Sequence, residues 1–229
     1  MDALQRGTHK VVLFDLDGTL VDTAPDMVRV LQDLQRQHGY APVPYEFGRS
    51  NVSNGALGLL RIGFPELTEA ERQDLIGEYI DRYSARLSRC STLFAGMEAL
   101  LGELDAVSCQ WGVVTNKPAR LTEPLLEQLQ LASRSACIVS GDTLEQRKPH
   151  PAPLLYACRL TGVQPAQAIY VGDASRDIEA GRAAGLMTIA AAYGYITADD
   201  NAEAWGADLV AADTTELAQI VLKAVNLVS

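Results

Sequence analysis

The stretch Val11-Val12-Leu13-Phe14-Asp15-Leu16-Asp17-Gly18-Thr19-Leu20 decides how the rest of the chain is read. Four apolar residues, the first two β-branched, predict a buried strand, and the strand stops at two carboxylates two residues apart. Alternate side chains of an extended backbone share a face, so Asp15 and Asp17 are expected to converge just past the last ladder bonds, where Gly18 lets the chain turn. Carboxylates that close repel each other, and one pKa rises unless a divalent cation neutralises them. The layout suits a metal-dependent acid/base or nucleophilic site. A strand ending in a simple Asx-turn is the bland alternative. A calcium loop is excluded: Leu20, Val21 and Pro25 follow where oxygen ligands are needed, and Asp26 stands at the twelfth position in place of Glu.

Working outward, strand-like runs recur at 111–114, 136–139, 168–171, 187–190 and, more weakly, 208–210. Helical spacing separates them, with Leu121, Leu125, Leu126 and Leu129 after one run and Leu154, Leu155, Cys158 and Leu160 after the next. Strands alternating with helices predict a doubly wound, Rossmann-like parallel sheet of the α/β class, whose sites form at the carboxyl ends of strands. The interval from Leu20 to about Leu93 breaks the rhythm and offers helices without a convincing strand. Thr23 is placed to cap a helix striped by Met27, Val30, Leu31 and Leu34, with Pro25 tolerated in the first turn. A second helix is expected over 68–87, with Leu75, Tyr79, Ile80 and Tyr83 on one side. The expected organisation is a core domain of residues 1–21 and 93–229 and an inserted all-helical domain of 22–92, hinged near 21–24 and 91–96.

The chain has 229 residues, 48% of them hydrophobic, enough for a substantial core, and its net charge of −10 with no basic cluster argues against a nucleic-acid partner. No run is long enough to span a bilayer, and the polar residues up to His9 lack the apolar stretch of an export signal, so a cytoplasmic protein without membrane partners is expected. Cys90, Cys109, Cys137 and Cys158 show no C-x-x-C spacing and are expected to be reduced. His9, His38 and His150 are isolated, which leaves no zinc site or His-based triad, and neither a Walker loop nor a G-x-S-x-G elbow is present.

Three more strand ends carry polar groups. Val113-Val114 leads into Thr115-Asn116-Lys117-Pro118, where a hydroxyl and the amides at a helix start make an anion site; a plain helix cap is the alternative. In Arg147-Lys148-Pro149-His150-Pro151 two prolines rigidify the chain around Lys148 and hold off the following helix. Finally Ala168-Ile169-Tyr170-Val171 ends in Gly172-Asp173-Ala174-Ser175-Arg176-Asp177. Asp173 on the turn and Asp177 in the first turn of a helix capped by Ser175 can face one cation, although Asp177 could also serve only the helix dipole.

In this order, D-x-D-G-T, V-T-N, K-P and G-D-x-x-x-D resemble the four motifs of the haloacid dehalogenase superfamily of phosphotransferases, over residues 10 to about 195. Within it the helical insert resembles the C1 cap. The chain is most similar to the phosphoglycolate phosphatase group, and Asp22-Thr23-Ala24-Pro25 and Ala183-Ala184-Gly185 fit that group as well. The resemblance implies that Asp15 is the nucleophile that becomes an aspartyl-phosphate and that Asp17 protonates the leaving oxygen and then activates water, held meanwhile by Thr19 or solvent. It implies that Thr115, the Asn116 amide and Lys148 hold the phosphoryl oxygens. Mg²⁺ would sit between Asp15, the backbone carbonyl of Asp17, and Asp173, with Asp177 as a further ligand.

Dehalogenases and phosphonatases of this superfamily lack the second aspartate, and phosphonatases add a cap lysine; Asp17 is present, and residues 24–93 contain no lysine. A β-phosphoglucomutase-like mutase shares the motifs, but Gly18-Thr19 leans toward hydrolysis. A non-catalytic binding protein on this scaffold is a further alternative, against which every position the chemistry needs is filled. The expected partner is a small phosphorylated metabolite, and the chain is expected to be a monomer or homodimer. The polar loop 49–56, with Arg49, Ser53, Asn54 and Gly55, lies where the superfamily reads its substrate. Two substrates fit. For 2-phosphoglycolate, Arg49 or Arg61 would take the carboxylate; for N-acetylmuramic acid 6-phosphate, the Val52-Ser53-Asn54-Gly55-Ala56 and Thr115-Asn116-Lys117-Pro118 stretches resemble bacterial enzymes of that kind.

Overall fold

The first apolar run becomes the centre of the sheet. In the computed structural model, which describes residues 9–225, the chain passes through β1 (Val11–Phe14), β2 (Val21–Asp22), α1 (Ala24–Gln37), α2 (Tyr45–Arg49), α3 (Gly55–Gly63), α4 (Glu69–Ser84) and β3 (Thr92–Leu93). It continues through α5 (Met97–Ala106), β4 (Gln110–Val114), α6 (Ala119–Gln128), β5 (Ile138–Val139), α7 (Ala152–Thr161), β6 (Ala168–Gly172), α8 (Ser175–Ala184), β7 (Met187–Ala191), β8 (Leu209–Ala211) and α9 (Thr214–Ala224). The segment before His9, on which the expectation about an export signal rests, lies outside the described residues.

Six strands form one parallel sheet in the order β5-β4-β1-β6-β7-β8. The chain moves outward from β1 through β4 to β5 and then returns to the other side of β1 with β6, so the order reverses at β1. That reversal opens a crevice beyond the strand ends. Period-2 alternation packs both faces of β1: Val12 and Phe14 join the apolar cluster that includes Leu100 of α5, Leu125 of α6 and Val221 of α9, while Val11 and Leu13 join Leu154 of α7 and Ala180 of α8. The first of these clusters runs on without a break into Leu31, Leu59 and Tyr79 of the insert.

Between β2 and β3 the chain is helical, but both joints pair as a short antiparallel ribbon, Val21 with Leu93 and Asp22 with Thr92. Two-residue strands carry no periodicity to read, which is why the sequence offered no strand there. The ribbon is anchored by Asp26, fully buried on α1, whose Oδ2 accepts from Cys90 N–H (2.9 Å), Ser91 N–H (2.8 Å) and Ser91 Oγ–H (2.7 Å).

Several local expectations change. Thr23 precedes α1 but makes no side-chain cap bond, because its hydroxyl turns to Asp17. The helix expected over 68–87 ends at Ser84, and Thr68 starts it with a capping box shared with Glu71. Ser175 is the first residue of α8 and not its cap; Ala174 holds the cap position, and Asp177 Oδ2 accepts the Ala174 N–H at 3.1 Å. The 136–139 run shortens to Ile138–Val139.

Candidate active site

The strand register sets the geometry. Phe14 is level with Val113 on one side and Val171 on the other, so Asp15 emerges between the ends of β4 and β6, with Thr115 and Asp173 one step beyond it. One carboxylate oxygen from each of Asp15, Asp173 and Asp177 lies within 4.8 Å of the others, and all three residues are buried. Burial first, then the neighbouring charges of Asp15 and Asp177, push the Asp173 carboxyl up from 3.8 to about 7, although Ser53 and the Tyr195 amide donate to it. Burial also raises Asp177, against the pull of Lys148. Carboxyls so crowded that they resist ionising fit a divalent cation, whose charge would remove both penalties. The backbone around them leaves no slack: Gly18 has a φ of +87°, and a Cβ there would lie 2.1 Å from Asp173 Oδ2.

Lys148 is the counter-charge within the cluster. Its side chain is 1% exposed, and its Nζ lies 2.7 Å from Asp177 Oδ1 and 2.9 Å from Asp15 Oδ1. Its hydrogen bonds go to the Tyr170 hydroxyl (2.7 Å) and the Val114 carbonyl (3.0 Å), so the contact to Asp15 is an ion pair without hydrogen-bond alignment. Asp15 and Asp177 outweigh the effect of burial, which alone would lower the lysine, and keep its pKa above the ordinary value. Asn116 clamps this loop to the end of β4: its Nδ2 donates to the Lys148 carbonyl (2.9 Å), and its Oδ1 accepts the Lys148 N–H (3.0 Å). The Asn116 side chain is thus occupied, leaving the backbone amide as its group for a ligand. The Thr115 hydroxyl oxygen accepts from Lys117 N–H at 3.2 Å and keeps its own proton free to donate.

Asp17 lines the same cavity as Asp15 but is not one of the three clustered carboxylates. Its Oδ1 accepts from Thr23 Oγ1–H at 2.6 Å and pairs with Lys117 Nζ at 2.9 Å. Thr19, expected to hold Asp17, instead donates to Asp173 Oδ1 at 3.3 Å. Of the two donors actually holding Asp17, Lys117 is the candidate site residue that sequence reading passed over. It lies one hundred residues away, and a lysine after V-T-N reads as an ordinary helix-start residue. Burial alone would lower its pKa; Asp17 and the Tyr83 hydroxyl outweigh that and hold it above its ordinary value.

Beyond these groups opens a cavity of about 770 Å³ between the strand ends and the insert. Asn51, Ser53, Asn54 and Gly55 line it, but the stretch 49–56 is not the loop expected: Arg49 ends α2, Val52–Asn54 form a single 3-10 turn and Gly55 begins α3. Ser53 reaches across to Asp173 (2.7 Å) while Arg176 Nη2–H donates to the Ser53 carbonyl (2.7 Å). Arg49 is not among the lining residues. Its guanidinium is held 3.7 Å from Asp22 and stacks over the Tyr195 ring at 4.8 Å, on the hinge side. Arg61 does line the cavity, as do Arg120, Arg147 and Arg176.

The model of the haloacid dehalogenase-like hydrolase family matches residues 12–191, spanning every strand end that carries a site residue. This chain belongs to that family. Among haloacid dehalogenase-like hydrolases it is 42% identical to a phosphoglycolate phosphatase of Xanthomonas campestris pv. campestris over 91% of this chain and 94% of the relative. It is 40% identical to an N-acetylmuramic acid 6-phosphate phosphatase of Pseudomonas aeruginosa over 96% and 98%. The crystal structure of a predicted phosphoglycolate phosphatase from Haemophilus somnus superposes with a TM-score of 0.83 at 28% identity, covering 93% of this chain and 98% of that one. Among the described residues of this hydrolase no helix is long and apolar enough to cross a membrane.

Proposed function

We propose that this chain is a magnesium-dependent phosphatase of a small phosphorylated metabolite, working in the cytoplasm through an aspartyl-phosphate on Asp15. The observation that carries the reading is the division of labour between two carboxylates two residues apart, Asp15 in the buried acidic cluster with Lys148 and Asp17 turned out of it toward Lys117. Magnesium would be held by Asp15, Asp173 and the Asp17 carbonyl, with Asp177 behind them, and would supply charge neutralisation for an incoming phosphate dianion.

The chain's own groups supply the rest. Asp15 attacks phosphorus, its oxygen forming the new P–O bond as the bond to the leaving oxygen breaks. Lys148, the Thr115 hydroxyl and the Asn116 amide hold the equatorial oxygens as charge spreads over them. Asp17 hands a proton to the leaving oxygen and takes one back from the water that then splits the aspartyl-phosphate. The insert 22–92 serves as a cap that covers the phosphate and excludes bulk water.

For the substrate, 2-phosphoglycolate is the first reading, supported by the relatives of that name and by arginines in the cavity for its carboxylate. A second, N-acetylmuramic acid 6-phosphate, is favoured by the cavity itself. Roughly 300–1,000 Å³ accommodates a drug-sized ligand, and at about 770 Å³, walled by amides, Ile76, Tyr79 and Ile80, this one exceeds what a two-carbon acid fills. Phosphate release from both compounds, with glucose 6-phosphate as the sugar-phosphate control that lacks a carboxylate, decides between them by kcat/KM. A tenfold or greater preference for one acid identifies the substrate, and no release from any of the three with magnesium present removes the phosphatase reading.

A further inference from the structure

Lys117 is a buried ammonium that phosphate chemistry does not require. Lys148 already stands against Asp15 and Asp177 at the phosphate end of the site. Lys117, on the loop between β4 and α6, instead bridges two other parts of the chain: Asp17 after β1, at 2.9 Å, and Tyr83 on α4, whose hydroxyl is 2.9 Å away and whose ring centroid is 4.6 Å away. Its side chain is 5% exposed. Burying a charge pair costs several kcal/mol per ion, and an apolar residue of similar volume often stabilises a fold as well or better. Packing alone therefore does not account for a lysine here.

The geometry points to a role in aiming Asp17. Both donors, Lys117 and Thr23, bond the same oxygen, Oδ1. With Oδ1 held on two sides, the carboxyl cannot rotate, and Oδ2 is the oxygen left to meet a substrate oxygen or a water. Tyr83 belongs to the insert, so the ammonium is in register only when α4 is seated against the core. We propose that Lys117 is a positioning residue that presents Asp17 Oδ2 to the reacting oxygens and, through Tyr83, makes that alignment depend on the seating of the insert. The inference rests on the reading of Asp17 as the proton-transferring group.

Pre-steady-state hydrolysis of 4-nitrophenyl phosphate by the magnesium-loaded full chain tests it. Nitrophenolate leaves without needing a proton, whereas hydrolysis of the aspartyl-phosphate needs an aligned base. In Lys117→Met the burst rate should stay within about threefold of wild type while the steady-state rate falls about 10–100-fold, and the rate on an alkyl phosphate such as glycerol 3-phosphate falls at least as far. Tyr83→Phe, which keeps the ring and loses only the hydroxyl, should show the same split at about three- to tenfold. Asp17→Asn, run in parallel, should show the split at its largest.

A merely structural lysine would lower burst and steady state together, and that result overturns the proposal. So does a wild-type steady state in Lys117→Met beside a damaged Asp17→Asn, which leaves the role of Asp17 intact. An undamaged Asp17→Asn removes that role and the proposal with it. If Lys117→Met does not fold, Tyr83→Phe carries the test, and a steady state equal to wild type in that variant overturns the proposal.

Discussion

The core wall of the cavity carries Asp15, Asp17, Thr115 and Lys117, whereas the insert wall carries Asn51, Asn54, Arg61, Ile76, Tyr79 and Ile80. On the core wall, Asp15, Asp17 and Lys117 each have an oppositely charged group within 2.9 Å, and the arrangement is cross-braced by Asn116, Thr23 and Tyr170. On the insert wall, amides and apolar side chains face the space directly, and Arg61, 55% exposed, is paired to Glu69 on the outside. A rigid charged wall suits a transition state whose charge is always in the same place. A looser wall of mixed polarity suits recognition of the remainder of a substrate.

If that contrast is right, damage to the core wall should be large and shared by all substrates, and damage to the insert wall should be modest and selective. The largest effect is expected for Asp15→Asn. An amide cannot attack phosphorus, so turnover should fall by about 10⁴-fold or more on every phosphomonoester while the melting temperature holds. Activity within tenfold of wild type would end the assignment of Asp15 as nucleophile.

Removal of divalent metal should silence the enzyme nearly as completely, and the acidic cluster adds a pH signature. The Asp173 carboxyl is raised from 3.8 to about 7 in the metal-free fold, so its contribution to stability is fully present below about 4 and is lost as the pH climbs through 7. Magnesium competes with those protons, so its stabilising shift in melting temperature should be larger at pH 8 than at pH 5. An equal shift at both values would detach the cation from this cluster.

Arg61→Ala sharpens the comparison from the other side. It should raise KM for a carboxylate-bearing phosphoester about three- to tenfold while changing hydrolysis of 4-nitrophenyl phosphate less than twofold, because that substrate has no second anion to hold. Equal losses on both substrates would erase the distinction between the walls. The smallest effect is expected for Arg49→Ala: its guanidinium faces Asp22 and Tyr195, so kinetics on every substrate should stay within about twofold. A selective rise in KM for the acid would return Arg49 to the recognition set.

How much was readable in advance follows the same divide. By itself the sequence determined the parallel α/β core, the helical interruption after the first strand, and the strand ends at which Asp15, Thr115 and Asp173 would stand; Lys148, read as a strand-end residue, stands instead in the loop before α7, nine residues past the end of β5. Those features rest on local rules: the two-residue period of strands, the 3.6-residue period of helices, and the turn chemistry of glycine and proline. Tertiary structure alone decided which donor meets which acceptor. Thr19 and Thr23 are alike in sequence, yet the turn after Asp15 sends the first to Asp173 and the second to Asp17. Arg49 was read as a loop residue facing the substrate, but it ends α2 and a tyrosine 146 positions later captures it. Lys117 gains its place only because β1, β4 and α4 bring Asp17 and Tyr83 to within 2.9 Å of one ammonium. Hydrogen bonds and ion pairs act over about 3 Å, a range that sequence spacing cannot resolve across segments meeting only in the folded chain.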